Sequence, residues 1–241
     1  MTRWRRARRG GVTAVVLAAL VVSSMGAGRA ARPVVIVYGD SLVWESASEI
    51  RAWSGARGYD AVVRWRFGGA PCASFAQMRA DRALRPKAVI IAFVGSTHEY
   101  NPCVGTDLDA SYRAQIRQWK EIWTGTGVRL LWAAVPLIRI DWVEAVQVTM
   151  RDEATRLGIP TYDGGKYVSP GRVWYWTQPC MAGERCVGSQ ISRLVPPGRN
   201  IVRSSDRIHF CPGPPHGLDP CRYYSSGSWR YARALTEGLS G

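Results

Sequence analysis

Three residues in this chain are placed to do chemistry together: a serine near the start of its hydrophilic part, and an aspartate and a histidine near its end. Ser41 follows Val34-Val35-Ile36-Val37-Tyr38-Gly39-Asp40, a β-branched apolar run that ends at a glycine. A helix-compatible segment runs on from Leu42 to Arg57. Strand, tight turn and helix in that order put a serine hydroxyl at the carboxyl edge of a parallel sheet, where open α/β folds keep their chemistry. Gly39 is expected to supply the unusual backbone angle of the turn, and the amides at the helix start can bind an anion. Far along the chain, Ser204-Ser205-Asp206-Arg207-Ile208-His209-Phe210 holds an aspartate three residues before a histidine. A serine is a weak nucleophile until a base takes its proton, and that base is usually a histidine oriented by a carboxylate. Of His98, His209 and His216, only His209 has an acid at a short, turn-sized spacing before it. The competing reading is that Asp40 or Ser41 only caps a helix, and that Asp206 and His209 share no task.

Taken together, the two stretches resemble the GDSL, or SGNH, hydrolase family. Gly39-Asp40-Ser41-Leu42 is similar to its nucleophile block, and Asp206-Arg207-Ile208-His209 to its Asp-x-x-His block. Between them, Phe67-Gly68-Gly69-Ala70-Pro71-Cys72 looks like the block that supplies an oxyanion glycine. Phe93-Val94-Gly95-Ser96-Thr97-His98 sits where the fourth block belongs. The family has Gly followed by Asn there, and the Asn side chain donates to the oxyanion; here Ser96 or Thr97 takes the place. A hydroxyl donates but reaches less far, so weaker oxyanion stabilisation is expected. The resemblance spans roughly residues 33 to 239, and the cysteines beside each block look like those of exported actinobacterial SGNH proteins. It implies a three-layer α/β/α sandwich on a flavodoxin-like five-stranded parallel sheet. It also implies Ser41, Asp206 and His209 as catalytic residues, with an oxyanion hole from the Ser41 amide, Gly69, and Ser96 or Thr97. The order Ser, Asp, His also occurs in α/β-hydrolases, but their Gly-x-Ser-x-Gly is found nowhere in this chain.

The elements that must carry these residues alternate. Residues 61–66 read as a second strand running into Gly68-Gly69, and 88–94 as a buried parallel strand. Residues 109–124 read as a helix with Tyr112, Ile116, Trp119 and Trp123 on one face, ended by Gly125 and Gly127. Residues 128–135 and 159–162 read as the fourth and fifth strands, and 142–157 and 224–239 as helices. Such alternation gives an α/β fold with a parallel sheet covered on both faces. Right-handed crossovers put every strand-to-helix loop on one edge, where the serine, glycine and Ser96/Thr97 loops converge. No internal repeat or second domain is evident.

The first ten residues carry Arg3, Arg5, Arg6, Arg8 and Arg9, followed by an apolar run from Val12 to Val22 and a small, polar stretch to Ala31. That is the layout of a secretory signal over residues 1–31, too short in its apolar part for an ordinary membrane span. An uncleaved signal anchor is the alternative and the only membrane contact expected. Residues 32–241 form the predicted hydrolase domain. The chain has 32 basic and 18 acidic residues. Without the six arginines of residues 1–30, 26 against 18 leaves +8. A basic surface favours anionic polymers, but no basic patch interleaved with aromatics and no nucleic-acid motif is present.

All six cysteines lie after the leader, an even number that reads as three disulfides in an exported protein. Six cysteines allow 15 pairings; the expected set is Cys72–Cys103, Cys180–Cys186 and Cys211–Cys221. A zinc site around His209 and Cys211 lacks the usual ligand spacings, so neither metal nor organic cofactor is expected. Residues 164–203 are the least regular part, and a long loop before the histidine is often a lid or substrate wall. Its Trp174, Tyr175 and Trp176 either line substrate or pack the loop onto the core. Trp44, His98, Trp174 and Trp176 are the candidate lining residues. Glu45, Glu49, Asp163 and Asp219 read as solvated or capping groups.

The predicted function is a secreted esterase cleaving carboxylic esters through an acyl-enzyme, with O-acyl groups of cell-envelope glycans as candidate substrates. The alternatives are an O-acyltransferase using the same residues, and a catalytically weak glycan-binding protein on the same fold. The sequence sets no oligomeric state.

Overall fold

A computed structural model of the chain describes residues 31–213 and 217–240. The leader expected over residues 1–31, except Ala31, lies outside the described residues, and so does His216.

The apolar run around which the sequence is organised becomes the central strand β1 (Val34–Gly39). It pairs in parallel with β2 (Asp60–Trp65) on one side and β3 (Ala88–Ala92) on the other. β4 (Arg129–Ala134) and β5 (Thr161–Asp163) continue the sheet beyond β3. The order β2-β1-β3-β4-β5 is wholly parallel. Alternate side chains of β1 enter opposite layers. Val35 and Val37 join Leu42, Val43 and Ile50 of α1 (Ser41–Glu45) and α2 (Ala47–Ala56), with Tyr231 and Leu235 of the C-terminal helix. Ile36 and Tyr38 join Met78 of α3 (Phe75–Asp81), Trp119 of α4 (Leu108–Trp123) and Met150 of α5 (Asp141–Arg156). The sheet is therefore covered on both faces, a three-layer α/β/α sandwich.

The expected helix from Leu42 to Arg57 is two helices, α1 and α2, broken at Ser46. α3 is absent from the sequence-based expectation, since it is one short amphipathic turn pair whose Ser74 makes no side-chain cap. It is fixed by tertiary bonds instead: buried Asp81 accepts from Tyr38 at 2.7 Å and from Arg64 at 2.8 and 2.9 Å.

The irregular segment 164–203 holds a two-stranded antiparallel ribbon, β6 (Thr177–Pro179) with β7 (Arg199–Ile201), and a single helical turn, α6 (Gly188–Ile191). It is pinned to α7 (Ser226–Glu237) by a fully buried ion pair, Arg230 Nε to Glu184 at 2.9 Å. Arg230 also donates to Gln178 and to the Pro179 carbonyl. A buried charge is tolerable only when paired and bonded this completely.

Candidate active site

The site begins where β1 ends. Gly39 does not have the left-handed backbone angle the sequence leads one to expect. Its role is close approach: a Cβ there would collide with the Val43 side chain and the Ala92 carbonyl. Asp40 is 2 % exposed and spends its carboxylate on backbone, accepting from Leu42 N at 3.1 Å and from Val94 N. Burial pushes its carboxyl up to about 6, against the pull of those amides. Ser41 opens α1, so its amide has no partner within the helix.

The Asp206–His209 turn closes on this serine. Asp206 Oδ1 accepts from the amides of Ile208 and His209, both at 2.9 Å, and from the Ser204 hydroxyl. Its Oδ2 stands 2.6 Å from His209 Nδ1, and His209 Nε2 stands 2.8 Å from Ser41 Oγ. Arg207, between them, has a left-handed φ of 68°, which few non-glycine residues adopt. Partial burial raises the Asp206 carboxyl, but the bonds from His209, Ser204 and the two amides outweigh it and hold it far below the usual carboxylate range. For His209, burial lowers the pKa, but the Asp206 bond and the charges of Glu45, Asp206 and Asp40 outweigh it, and the net direction is up.

Two buried residues that sequence reading passed over hold this turn. Glu45, expected to be solvated or capping, is 1 % exposed at the end of α1. Its two oxygens accept from Phe210 N at 2.6 Å and Gly217 N at 2.7 Å. The signal was its place: an acid four residues after the serine lies on the same helix face as that serine. Arg203 is fully buried, and its guanidinium donates to the Ile208 carbonyl and, at 2.8 Å, to the Leu137 carbonyl. On the other side, buried Gln147 of α5 donates to Phe93 O at 2.6 Å and accepts from Val135 N at 3.2 Å, tying together the ends of β3 and β4.

Ser41 and His209 open into a cleft of about 530 Å³. Gly68 and Ser96 line it, whereas Gly69 and Thr97 do not. The Gly69 amide closes a turn onto the Arg66 carbonyl at 2.9 Å, and Gly68 is the glycine of this segment that lines the cleft with Ser41. Thr97 Oγ1 is buried without a hydrogen-bond partner. Ser96 is held by the Tyr112 hydroxyl, which accepts from its amide at 2.6 Å and donates to its carbonyl at 2.9 Å.

None of the four expected lining residues reaches the cleft. Trp44 packs on Trp65, with ring centroids 4.1 Å apart, and its indole donates to the Gly217 carbonyl. His98 is exposed, with Nδ1 2.6 Å from the Val104 carbonyl. Trp174 donates to the Arg207 carbonyl at 3.1 Å and so braces the histidine turn from outside. Trp176 lines a separate depression with Ile191 and Tyr223. Nor does any residue of 164–203 form a lid or wall here, because Arg230 and Glu184 hold that segment against α7. The cleft's apolar wall is instead Ile138 and Ile140 of the segment between β4 and α5, with Trp142 and Val143 of the first turn of α5.

The cysteines pair as Cys72–Cys103, Cys180–Cys186 and Cys211–Cys221. The first joins the segments that follow β2 and β3, and the last closes the loop just after His209. Among the described residues, no group of three or more His, Cys, Asp or Glu is arranged to hold a metal. No helix among them is long and apolar enough to cross a membrane.

No family model matches the sequence, and no curated protein is similar to it in sequence. Solved structures are similar in fold. An acetyl xylan esterase variant from Geobacillus stearothermophilus superposes with a TM-score of 0.53 at 13 % identity, over 87 % of this chain and 95 % of that one. A salicylyl-acyltransferase from a tetracycline biosynthetic pathway gives 0.54 at 15 % identity, over 88 % of this chain and 56 % of the other. A carbohydrate esterase family 3 protein from Talaromyces cellulolyticus gives 0.51 at 12 % identity, over 86 % and 96 %. The sheet order, the flanking helices and these likenesses make the fold of this chain the SGNH hydrolase fold.

Proposed function

We propose that this chain, an SGNH hydrolase by fold, is an exported serine esterase that cleaves carboxylic esters through an acyl-enzyme. The observation that carries the reading is the unbroken relay from Asp206 Oδ2 through His209 to Ser41 Oγ, at 2.6 and 2.8 Å. With its proton on Nδ1, the imidazole donates to Asp206 and presents Nε2 as acceptor for the serine hydroxyl. His209 takes the proton as Ser41 Oγ bonds to the ester carbonyl carbon. The Ser41 amide, the Gly68 amide and the Ser96 hydroxyl stabilise the oxyanion. Collapse breaks the bond to the alcohol, which leaves with the proton from Nε2. Water, deprotonated in turn by His209, releases the acid and restores the serine.

The three disulfides and the basic-then-apolar leader support an exported protein. The esterase and acyltransferase names of the structural neighbours support acyl transfer in general. O-acyl groups of envelope glycans remain the candidate natural esters. A sugar hydroxyl in place of water would make the same relay an O-acyltransferase; the open side of the site, where the His209 side chain is 22 % exposed, favours keeping that reading. Product analysis with a sugar acceptor separates the two. Serine in place of the oxyanion asparagine favours a third reading, a weakly catalytic glycan-binding protein.

The test is labelling by a fluorophosphonate and turnover of p-nitrophenyl acetate by the oxidised protein, beside Ser41→Ala and His209→Ala. Labelling at Ser41 and turnover that both variants lose are expected. No labelling, with glycan binding that survives Ser41→Ala, would replace the esterase by the binding protein.

A further inference from the structure

We infer that the acyl group this site takes is an apolar chain of medium length or a branched equivalent, rather than acetate. The inference rests on the esterase reading above. The cleft is about 530 Å³, within the range that encloses a drug-sized ligand, whereas an acetyl group has one methyl beyond its carbonyl. Its charged and aliphatic hydroxyl side chains, Asp40, Ser41, Ser96 and His209, cluster at the reacting end, and beyond them only the Tyr100 hydroxyl and the Trp142 indole N–H are polar side-chain groups of the lining. Away from that end the walls are mainly apolar. Ile138 and Val143, 1 % and 0 % exposed, line the cleft together with Ile140 and Trp142. Val94 and Ile208 continue the apolar lining, and Phe67 and Tyr100 stand at the rim, 63 % and 80 % exposed. A wall of this composition has too few polar groups to replace the water around a sugar's several hydroxyls, and burying those unpaired is costly.

The acyl-enzyme decides which half of the ester the wall serves. The acyl part stays bonded to Ser41 through both half-reactions, while the alcohol must leave and be replaced by water or another acceptor. The alcohol therefore takes the open side, over the partly exposed His209 imidazole, where Nε2 can protonate it. The apolar side is left to the acyl chain. Each methylene it buries there raises kcat/KM about fourfold until the wall ends. An acylated glycan remains compatible with this arrangement if its sugar stays on the open side.

The test compares p-nitrophenyl acetate, butyrate, octanoate and laurate with the oxidised full chain, after labelling of Ser41 has been established. We expect kcat/KM to rise from acetate through butyrate to octanoate by at least tenfold. Ile140→Trp, which fills the wall, should lower the octanoate-to-acetate ratio at least tenfold. Octanoate binding to Ser41→Ala, followed by titration calorimetry and weakened by Ile140→Trp, reads the same wall without turnover. Labelling and turnover with acetate preferred, or with a ratio that Ile140→Trp does not move, would overturn the acyl assignment and leave the esterase standing. Absence of both labelling and turnover would remove the esterase reading, and absence of octanoate binding as well would remove the apolar subsite with it.

Discussion

At the scale of single residues, the site is a balance of charge around one imidazole. Three carboxylates, Asp206, Glu45 and Asp40, raise the His209 pKa against its burial. A general base works only when neutral, so kcat/KM should rise with pH along a limb lying above the ordinary imidazole value of about 6.5. Glu45→Gln removes one of the charges that raise that pKa. The limb should then move to lower pH in a pH–rate profile, and an unmoved limb would leave Glu45 a purely structural role. Arg203→Met should destabilise by about 2–4 kcal/mol in denaturant melts, because each buried carbonyl left without a donor costs about 1–3 kcal/mol, and Arg203 serves Ile208 and Leu137. Ser41 was legible from the strand-turn-helix pattern and Asp206 with His209 from their turn-sized spacing, while the resemblance to GDSL hydrolases joined the two stretches across 168 residues. Glu45 and Arg203 were not legible, since a buried acid or arginine looks like a surface one until its backbone partners, far away in sequence, are known.

Among the elements, β1, β3, α4 and α5 could be read to within a few residues, because β-branched runs and helical spacing are local signals. α3 and the β6–β7 ribbon could not, because Asp81, Arg230 and Glu184 secure them through distant partners. The lining aromatics were misjudged for the same reason. Trp44 lies close to Ser41 in sequence and Trp174 lies in the long segment before the histidine, yet their indoles are spent on the Gly217 and Arg207 carbonyls. Trp142 reached the cleft from a helix start that carries no motif. The junction of β1 and α1 is the least forgiving element boundary. Gly39→Ala should cost about 1–3 kcal/mol by overpacking, seen as a lower Tm, since the added methyl meets Val43 and the Ala92 carbonyl. Replacing Cys211 and Cys221 together by serine should cost about 2–3 kcal/mol by releasing a ten-residue separation. It should also lower activity more than stability alone explains, because Gly217, a Glu45 partner, lies inside that loop.

Across the whole molecule, the covalent links and the packed sheet divide the work. No disulfide joins two strands of the five-stranded sheet; two of the three bridges lie after β5, in the part with the shortest elements. Mild reduction should therefore abolish turnover while far-ultraviolet circular dichroism still reports most of the native helix and strand. Simultaneous loss of both signals would mean that the sheet depends on the bridges. The positions of length change that the chain can absorb follow from a different feature. Asp40, Ser41 and Glu45 sit within six residues, and each reaches another segment: Asp40 the Val94 amide, Ser41 the imidazole, Glu45 the Phe210 amide. One residue inserted between Ser41 and Glu45 would swing the glutamate by about 100° around the helix and part it from the histidine turn. Substitutions at Leu42, Val43 and Trp44 can be compensated by repacking, but insertions and deletions there cannot. Over evolutionary drift this turn should keep its length long after its letters have changed, while gains and losses of residues collect in the exposed connections far from it.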